Sequence, residues 1–413
     1  MYFFLLSILC FTLLAFLRYR LALYSLIILI PAFLIRSTVI GVPTTFLELG
    51  IYILFLVAVI QKRKNLVRYS RQMWRTHKGA CIGIHILLIS AVCATYFSPY
   101  PLVGLGVLKA WFIDPLIFSF LIYEEVSSYK RIDLVFVSLS VSVLWLSVWG
   151  IIEKYWGFGL TVGTRLDSVF ESPNYFAMYV GPIIAMNIAL ILAGSRIIKE
   201  KTLPLIVPWA RAMLLISTLL GIGGLYYAQS FGGWFALGSV IVYLLLHTQY
   251  AKVVWGTLIL IFAVCIGVYL NNPNSIQEVT HRSNFTGQSS VTIRLQIWNT
   301  ALVVIRDNPL WGIGPGSFGK AYSHYVYTIS RSPWELGVIK AHNVYLNFWA
   351  EQGLFGLLSF LFLVIFFYIR KPRLWFGVAM AVILLHGLVD TTYFKNDLSV
   401  LFWVVYVGGL SSA

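Results

Sequence analysis

Apolar segments recur from one end of this chain to the other, and no soluble block separates them. They fall near 2–17, 21–35, 46–60, 79–96, 106–123, 132–150, 175–193, 212–228, 232–247, 253–270, 343–369, 375–391 and 398–410. A membrane-spanning helix takes about 17–25 predominantly apolar residues. The longer segments can therefore cross, while short neighbours can pair as hairpins or re-enter. Only 11% of the 413 residues are charged, against about 25% in soluble chains, too few to build a water-facing surface. The pattern predicts an all-α fold, a polytopic membrane helical bundle of 11–13 transmembrane helices. It predicts a single membrane domain over residues 1–413, with one large extracytoplasmic loop, 271–341, containing short helices. The first segment opens Met1-Tyr2-Phe3-Phe4 with no basic stretch before it and no small-residue cleavage site after it, so it reads as a first span.

The net charge of +15 would suggest nucleic acid in a soluble protein, but here its placement decides, and no nucleic-acid partner is expected. Gln61–Lys78 carries Lys62, Arg63, Lys64, Arg68, Arg71, Arg75 and Lys78, which the positive-inside rule assigns to the cytoplasm. Counting alternate spans from there puts 19 of the 30 basic residues on that side and 10 on the other, six of these in 271–341. The long loop is therefore expected outside. Cys10, Cys81, Cys93 and Cys265 lie in apolar segments without Cys-x-x-Cys spacing and read as buried thiols. The seven histidines show no metal-ligand spacing, so no metal site is expected.

Within the loop, Ile293, Ile297, Ala301 and Val304/Ile305 form a helical stripe over Thr292–Asn308. Ser289, Ser290 or Thr292 can cap it, and Asn308-Pro309 ends it. Its apolar face lies on the membrane surface or packs on the bundle. Gly312-Ile-Gly314-Pro-Gly316 follows, open to reading as a phosphate cradle or as a plain turn. Charged residues at membrane depth are Glu48, Lys109, Asp114, Glu351 and Asp390. Each is a functional candidate or half of a structural pair, and Lys109 with Asp114 looks like such a pair.

His342 stands where the loop meets the next span. A histidine, with an unperturbed pKa of about 6.5, can take a proton from a hydroxyl there; a hydrogen-bonded anchor is the other reading. Arg165, in the shorter outside segment Ile151–Asn174, and Arg282, Arg294, Arg306 and Arg331 run against the positive-inside bias. A guanidinium fork suits phosphate, although Arg306 and Arg331 read as solvated charges. Trp298, Trp311, Phe318, Tyr322, Tyr325, Tyr327, Trp334, Tyr345 and Trp349 crowd the same stretch. They fit both an interfacial belt and stacking on sugar rings.

Four runs then resemble the signature region of the O-antigen ligase and O-antigen polymerase superfamily. They are Arg294-Leu-Gln-Ile-Trp298, Asn308-Pro309-Leu-Trp-Gly312-Ile-Gly314-Pro-Gly316-Ser-Phe318, Ala341-His342-Asn343-Val-Tyr345-Leu346 and Glu351-Gln-Gly353-Leu-Phe-Gly356. Order and spacing agree over about 65 residues. Arg165 followed by Ser172-Pro173-Asn174, and His386-Gly-Leu-Val-Asp390, are similar to outlying elements of that family. About a dozen helices with one large outer loop fit the whole chain. One departure stands out: many members carry Ser-Arg-Gly where this chain has Ser230-Phe231-Gly232.

The resemblance implies a metal-independent lipid-linked glycan transferase of the cytoplasmic (inner) membrane, working on its outer face without cofactor. The donor would be a glycan on undecaprenyl diphosphate, and the acceptor a hydroxyl on a glycan, lipid or protein within the surrounding membrane lipids. His342 would be the catalytic base. Arg294, with Arg165 and Arg282, would hold the diphosphate and stabilise its developing charge. Asn174, Asn343, Tyr345 and Gly314 would complete the substrate-binding set. A polymerase of O-antigen or exopolysaccharide, or a protein O-oligosaccharyltransferase, keeps the fold and changes the acceptor. A lipid-linked glycan flippase is a different class, for which inverted repeats are not evident. A non-catalytic scaffold would not need the Arg294 and His342 set.

Overall fold

The computed structural model describes residues 2–39, 41–157, 165–194, 208–260, 290–330, 333 and 335–412. Arg282, Arg331, Trp334, Cys265 and the stretch 271–289 lie outside the described residues.

The chain opens with α1 (Tyr2–Leu17) and α2 (Tyr19–Ile28), and a 3-10 turn at Ile30–Leu34, with Pro31 at its start, ends the second helix. A short antiparallel hairpin follows, β1 (Arg36–Val39) on β2 (Val42–Thr45), with Arg36 opposite Thr45. Its last residue, Thr45, caps α3 (Phe46–Thr76). The Thr45 hydroxyl accepts from the Glu48 amide, and the Glu48 carboxylate accepts from the Thr45 amide. Then come α4 (Lys78–Tyr96), α5 (Pro101–Leu108), a π turn (Lys109–Ile113), α6 (Asp114–Tyr129), α7 (Ile132–Trp156), α8 (Pro173–Gly194), α9 (Pro208–Ala228), α10 (Phe231–Leu246) and α11 (Ala251–Leu260). From residue 290 onward follow α12 (Ser290–Asp307), α13 (Phe318–Tyr325), α14 (Val344–Ile369), α15 (Leu374–His386) and α16 (Asn396–Ser412).

This is an all-α, multi-pass membrane bundle. Among the described residues, six helical stretches are long and apolar enough to cross a membrane: Lys78–Tyr96, Pro101–Tyr129, Ile132–Trp156, Pro173–Ala193, Pro208–Ala228 and Val344–Ile369, alongside shorter apolar helices. In lipid a helix satisfies its own backbone, which is why the long apolar runs take this form. The helices meet through small residues. Gly79 and Gly83 of α4 lie against Phe366 and Leu363 of α14, and Gly408 and Gly409 of α16 against Phe376 and Phe367.

The expected pairing of Lys109 with Asp114 gives way to other partners. Lys109 Nζ meets Glu48 at 3.1 Å, while the Tyr52 hydroxyl donates to Asp114 at 2.5 Å. Glu48, presented by the capping box, is the anion within ion-pair distance of Lys109. Of the described cysteines, Cys81 is buried and Cys10 is exposed, on the outward face of α1.

The ends of the helices sort into two groups. At one end, Arg20 and Lys62 neutralise the buried Glu125 and Glu124 at 2.6 and 3.1 Å. At the other end, Arg36 pairs with Glu171, Arg165 bonds the Ala228 carbonyl, Ser98 bonds Ile313, and Asn343 bonds Leu388. Every loop that the charge count assigns to the outer side is joined at this second end.

Candidate active site

The loop helix α12 forms where the stripe requires it. Ile293, Ile297, Ala301, Val304 and Ile305 are all buried, packed with Phe318, Tyr322, Val338 and Ala350 in a small core of their own. The apolar face therefore packs on the bundle. With that face pinned, Arg294 projects between core and surface. Its Nε donates to the Val389 carbonyl at 3.0 Å and its Nη1 to the Ser290 hydroxyl at 3.1 Å.

Val389 belongs to the turn after α15, and that turn organises the site. Asn343 caps α14, its Oδ1 accepting from the Tyr345 and Leu346 amides at 3.0 Å, while its Nδ2 donates to the Leu388 carbonyl at 2.9 Å. The Val344 amide donates to Gly387 at 2.8 Å, and the Tyr345 hydroxyl to Leu384 at 3.1 Å. These bonds clamp the start of α14 to residues 384–388.

His342 therefore lies beside Asp390. Its Nδ1 donates to Asp390 Oδ1 at 3.1 Å, and the Thr391 amide donates to the same oxygen at 2.9 Å. With the proton on Nδ1, Nε2 carries the lone pair. The His342 side chain is 36% exposed and that of Asp390 only 4%, so the carboxylate is hidden while the imidazole is reachable. His342 has φ +45°, a left-handed conformation uncommon outside glycine. Its carbonyl accepts from Trp298 Nε1 at 3.2 Å, which helps to fix that backbone.

Burial works against the charge of Asp390, but the charge and hydrogen bond of His342, then the charges of His386 and Arg294, outweigh it and hold the carboxyl down at about 2. A depressed carboxylate stabilises the fold in full above its unfolded pKa of about 4, and that contribution disappears as pH falls toward 2. Asp390→Asn should thus unfold more easily than wild type at pH 7, with the gap closing in scans taken between pH 4 and 2. A gap independent of pH would show that the carboxylate carries no charge-linked stability.

A second cation faces the first. Arg165 donates from Nε to Ala228 at 2.9 Å and from Nη2 to Asn174 Oδ1 at 3.2 Å and the Gln229 carbonyl at 3.3 Å. Burial first, and then the nearby charge of Arg294, lower its pKa. Neither arginine is paired with a carboxylate among the described residues; every acceptor named for them is neutral. The charges of Arg165 and Arg294 act on one another, and neither is neutralised by an ion pair among the described residues.

The glycine-rich stretch has another occupation. α14 breaks at Gly353 (φ +69°, ψ −172°), and the Asn308–Gly316 segment threads the break. Ile313 and Gly314 amides donate to the freed Ala350 and Glu351 carbonyls at 2.9 Å, and Leu354 donates to Pro309 at 2.9 Å. The Glu351 carboxylate accepts from the Gly316 and Phe318 amides at 2.9 and 3.4 Å. The cradle is thus filled by the chain's own carboxylate, and Gly314 (φ +96°) lies against Ser98. Lys340, stacked 4.0 Å over Trp111, approaches Glu351 at 3.6 Å.

Residues 216–361 match the family model described as O-antigen ligase. Over this segment the chain is similar to the O-antigen ligase family. The O-antigen ligase segment contains Arg294, Gly314, His342, Asn343 and Tyr345, and ends within the broken α14. Arg165, Asn174 and Asp390 lie outside it and are brought to it by the fold. A relative from Haemophilus influenzae, described as an uncharacterized protein, is 24% identical over 155 residues, covering 34% of this chain and 39% of that protein. The alignment spans about two fifths of that relative's length.

The pairing of His342 with Asp390, the anchoring of Arg294 on Val389 and the hold of Trp298 on His342 all escaped sequence reading. Only the shared outer-side position of these residues hinted at them. Arg282 lies outside the described residues.

Proposed function

We propose that this protein is a glycan transferase of the O-antigen ligase superfamily. It would move a glycan from undecaprenyl diphosphate to an acceptor hydroxyl on the outer face of the inner membrane. The observation that supports this most is convergence on one turn. Val389 holds Arg294, and its neighbour Asp390 holds His342, so a base and a phosphate-binding cation share one rigid support.

In this reading His342 Nε2 takes the acceptor's hydroxyl proton as that oxygen bonds to the anomeric carbon of the donor. The bond between this carbon and the diphosphate oxygen breaks, and undecaprenyl diphosphate leaves with the electron pair. Arg294 and Arg165 meet the charge that develops on the leaving diphosphate. Asp390 keeps the imidazole in the tautomer that can accept, and His342 later releases its proton to solvent. Asn174 orients Arg165. Asn343 and Tyr345 are positioning residues, because their polar groups clamp the turn; Gly314 drops from the substrate-binding set to a packing role. A polymerase or protein-modifying reading would keep all of this and alter the acceptor alone.

Arg294→Gln and Arg165→Gln should each lower transfer by roughly 10²–10³-fold, with chelator leaving wild-type turnover intact. Lysine at either position should restore only part of the rate, since it lacks the bidentate fork. A requirement for added divalent ion, or full activity in both variants, would overturn the arginine account.

A further inference from the structure

At the end of the bundle that holds the Glu124 and Glu125 ion pairs, α3 is a long helix. Its 31 residues span about 46 Å at a rise of 1.5 Å per residue, longer than a hydrocarbon core of about 30 Å. The backbone leaves helical geometry at Lys62 (φ −128°, ψ 21°) and then resumes to Thr76. Lys62 itself is consumed by Glu124, and beyond it one face of α3 stays packed through Leu66, Tyr69 and Met73 against Tyr123 and Val407 while the opposite face is open.

Beyond the kink, Lys64, Arg68, Arg71 and Arg75 follow one another at four, three and four residues and so share one helix face. With Val67, Gln72 and Thr76 they line an open depression of about 490 Å³, and all seven residues are exposed. Among the described residues, none of these four cations has a carboxylate partner. Trp74, 47% exposed, stands on the same stretch, the side chain most at home where lipid meets water.

We propose that this face is a binding site for anionic phospholipid headgroups, with each phosphodiester bridging neighbouring basic side chains of the row. Charge complementarity selects an anion. The position of the row, just after the apolar first half of α3 and beside an exposed tryptophan, selects a membrane-borne one over a soluble acid. The site is separate from the proposed transfer chemistry, and its test does not depend on that chemistry.

The full-length protein, delipidated in detergent, would be titrated with phosphatidylglycerol and with phosphatidylcholine, and bound lipid counted by native mass spectrometry. Wild type should prefer phosphatidylglycerol by more than about tenfold, and the preference should shrink in high salt. The Lys64→Gln/Arg68→Gln/Arg71→Gln/Arg75→Gln variant should bind both lipids alike while keeping its helical content. If that variant does not fold, the salt titration of wild type decides alone. An undiminished preference in the variant, or one indifferent to salt, would overturn the site. Displacement of the lipid by an equal concentration of inorganic phosphate would also overturn it, assigning the row to a soluble anion.

Discussion

Replacing His342 with glutamine should slow glycan transfer about 10³-fold while the purified protein unfolds at nearly the wild-type temperature. Glutamine can still donate an amide proton to Asp390, so the 3.1 Å contact that ties the loop to the turn has a substitute. What it lacks is a lone pair basic enough to take a hydroxyl proton. Asp390→Asn should reduce turnover about 10²-fold or more with little change in the KM for the lipid-linked donor, because the ring loses its anionic partner while Arg294 keeps the Val389 carbonyl. Full activity in His342→Gln would remove the base from the mechanism. A change confined to donor KM in Asp390→Asn would move that carboxylate into binding.

The largest effect on stability is expected at Gly353. An added Cβ there would overlap the Leu310 carbonyl and crowd Trp311, and the backbone sits at φ +69°, ψ −172°, a region essentially reserved for glycine. Conformational strain and overpacking each cost about 1–3 kcal/mol, so Gly353→Ala should lose roughly 2–6 kcal/mol and accumulate poorly in membranes. Gly312→Ala meets the same break from the other side, its Cβ 2.6 Å from the Glu351 carbonyl carbon. Gly106→Ala is the control. It lies in α5 with nothing within 4 Å of the new atom, and should be neutral or stabilising by up to about 1 kcal/mol. Thermal unfolding of the three variants in one detergent checks the ranking, and a stable Gly353→Ala would mean the break in α14 is not what orders the loop.

Those two sites show where sequence reading succeeds and where it stops. Local periodicity is physical and short-range, so the stripe from Ile293 to Ile305 was legible and is buried as expected. The glycines of 312–316 were legible as residues needing unusual backbone, but their purpose was not. They fit a gap in a helix that begins some thirty residues later, and the anion they hold is Glu351. The same limit governs charges. Lys109 looked paired with Asp114 because they are near in sequence, yet its partner Glu48 is 61 positions away. His342 and Asp390 were each singled out, one at a loop junction and one at membrane depth. Their contact crosses 48 residues, a separation no single-chain periodicity can bridge.

The proposed chemistry requires that lipid-linked glycan is transferred, rather than carried across the bilayer intact. Purified wild-type protein in liposomes, supplied with radiolabelled glycan on undecaprenyl diphosphate and candidate acceptors in the presence of chelator, tests it most directly. The prediction is release of free undecaprenyl diphosphate in step with label appearing on acceptor, lost in both Arg294→Gln and His342→Gln. Intact labelled donor moving between leaflets, with no diphosphate released, would contradict it.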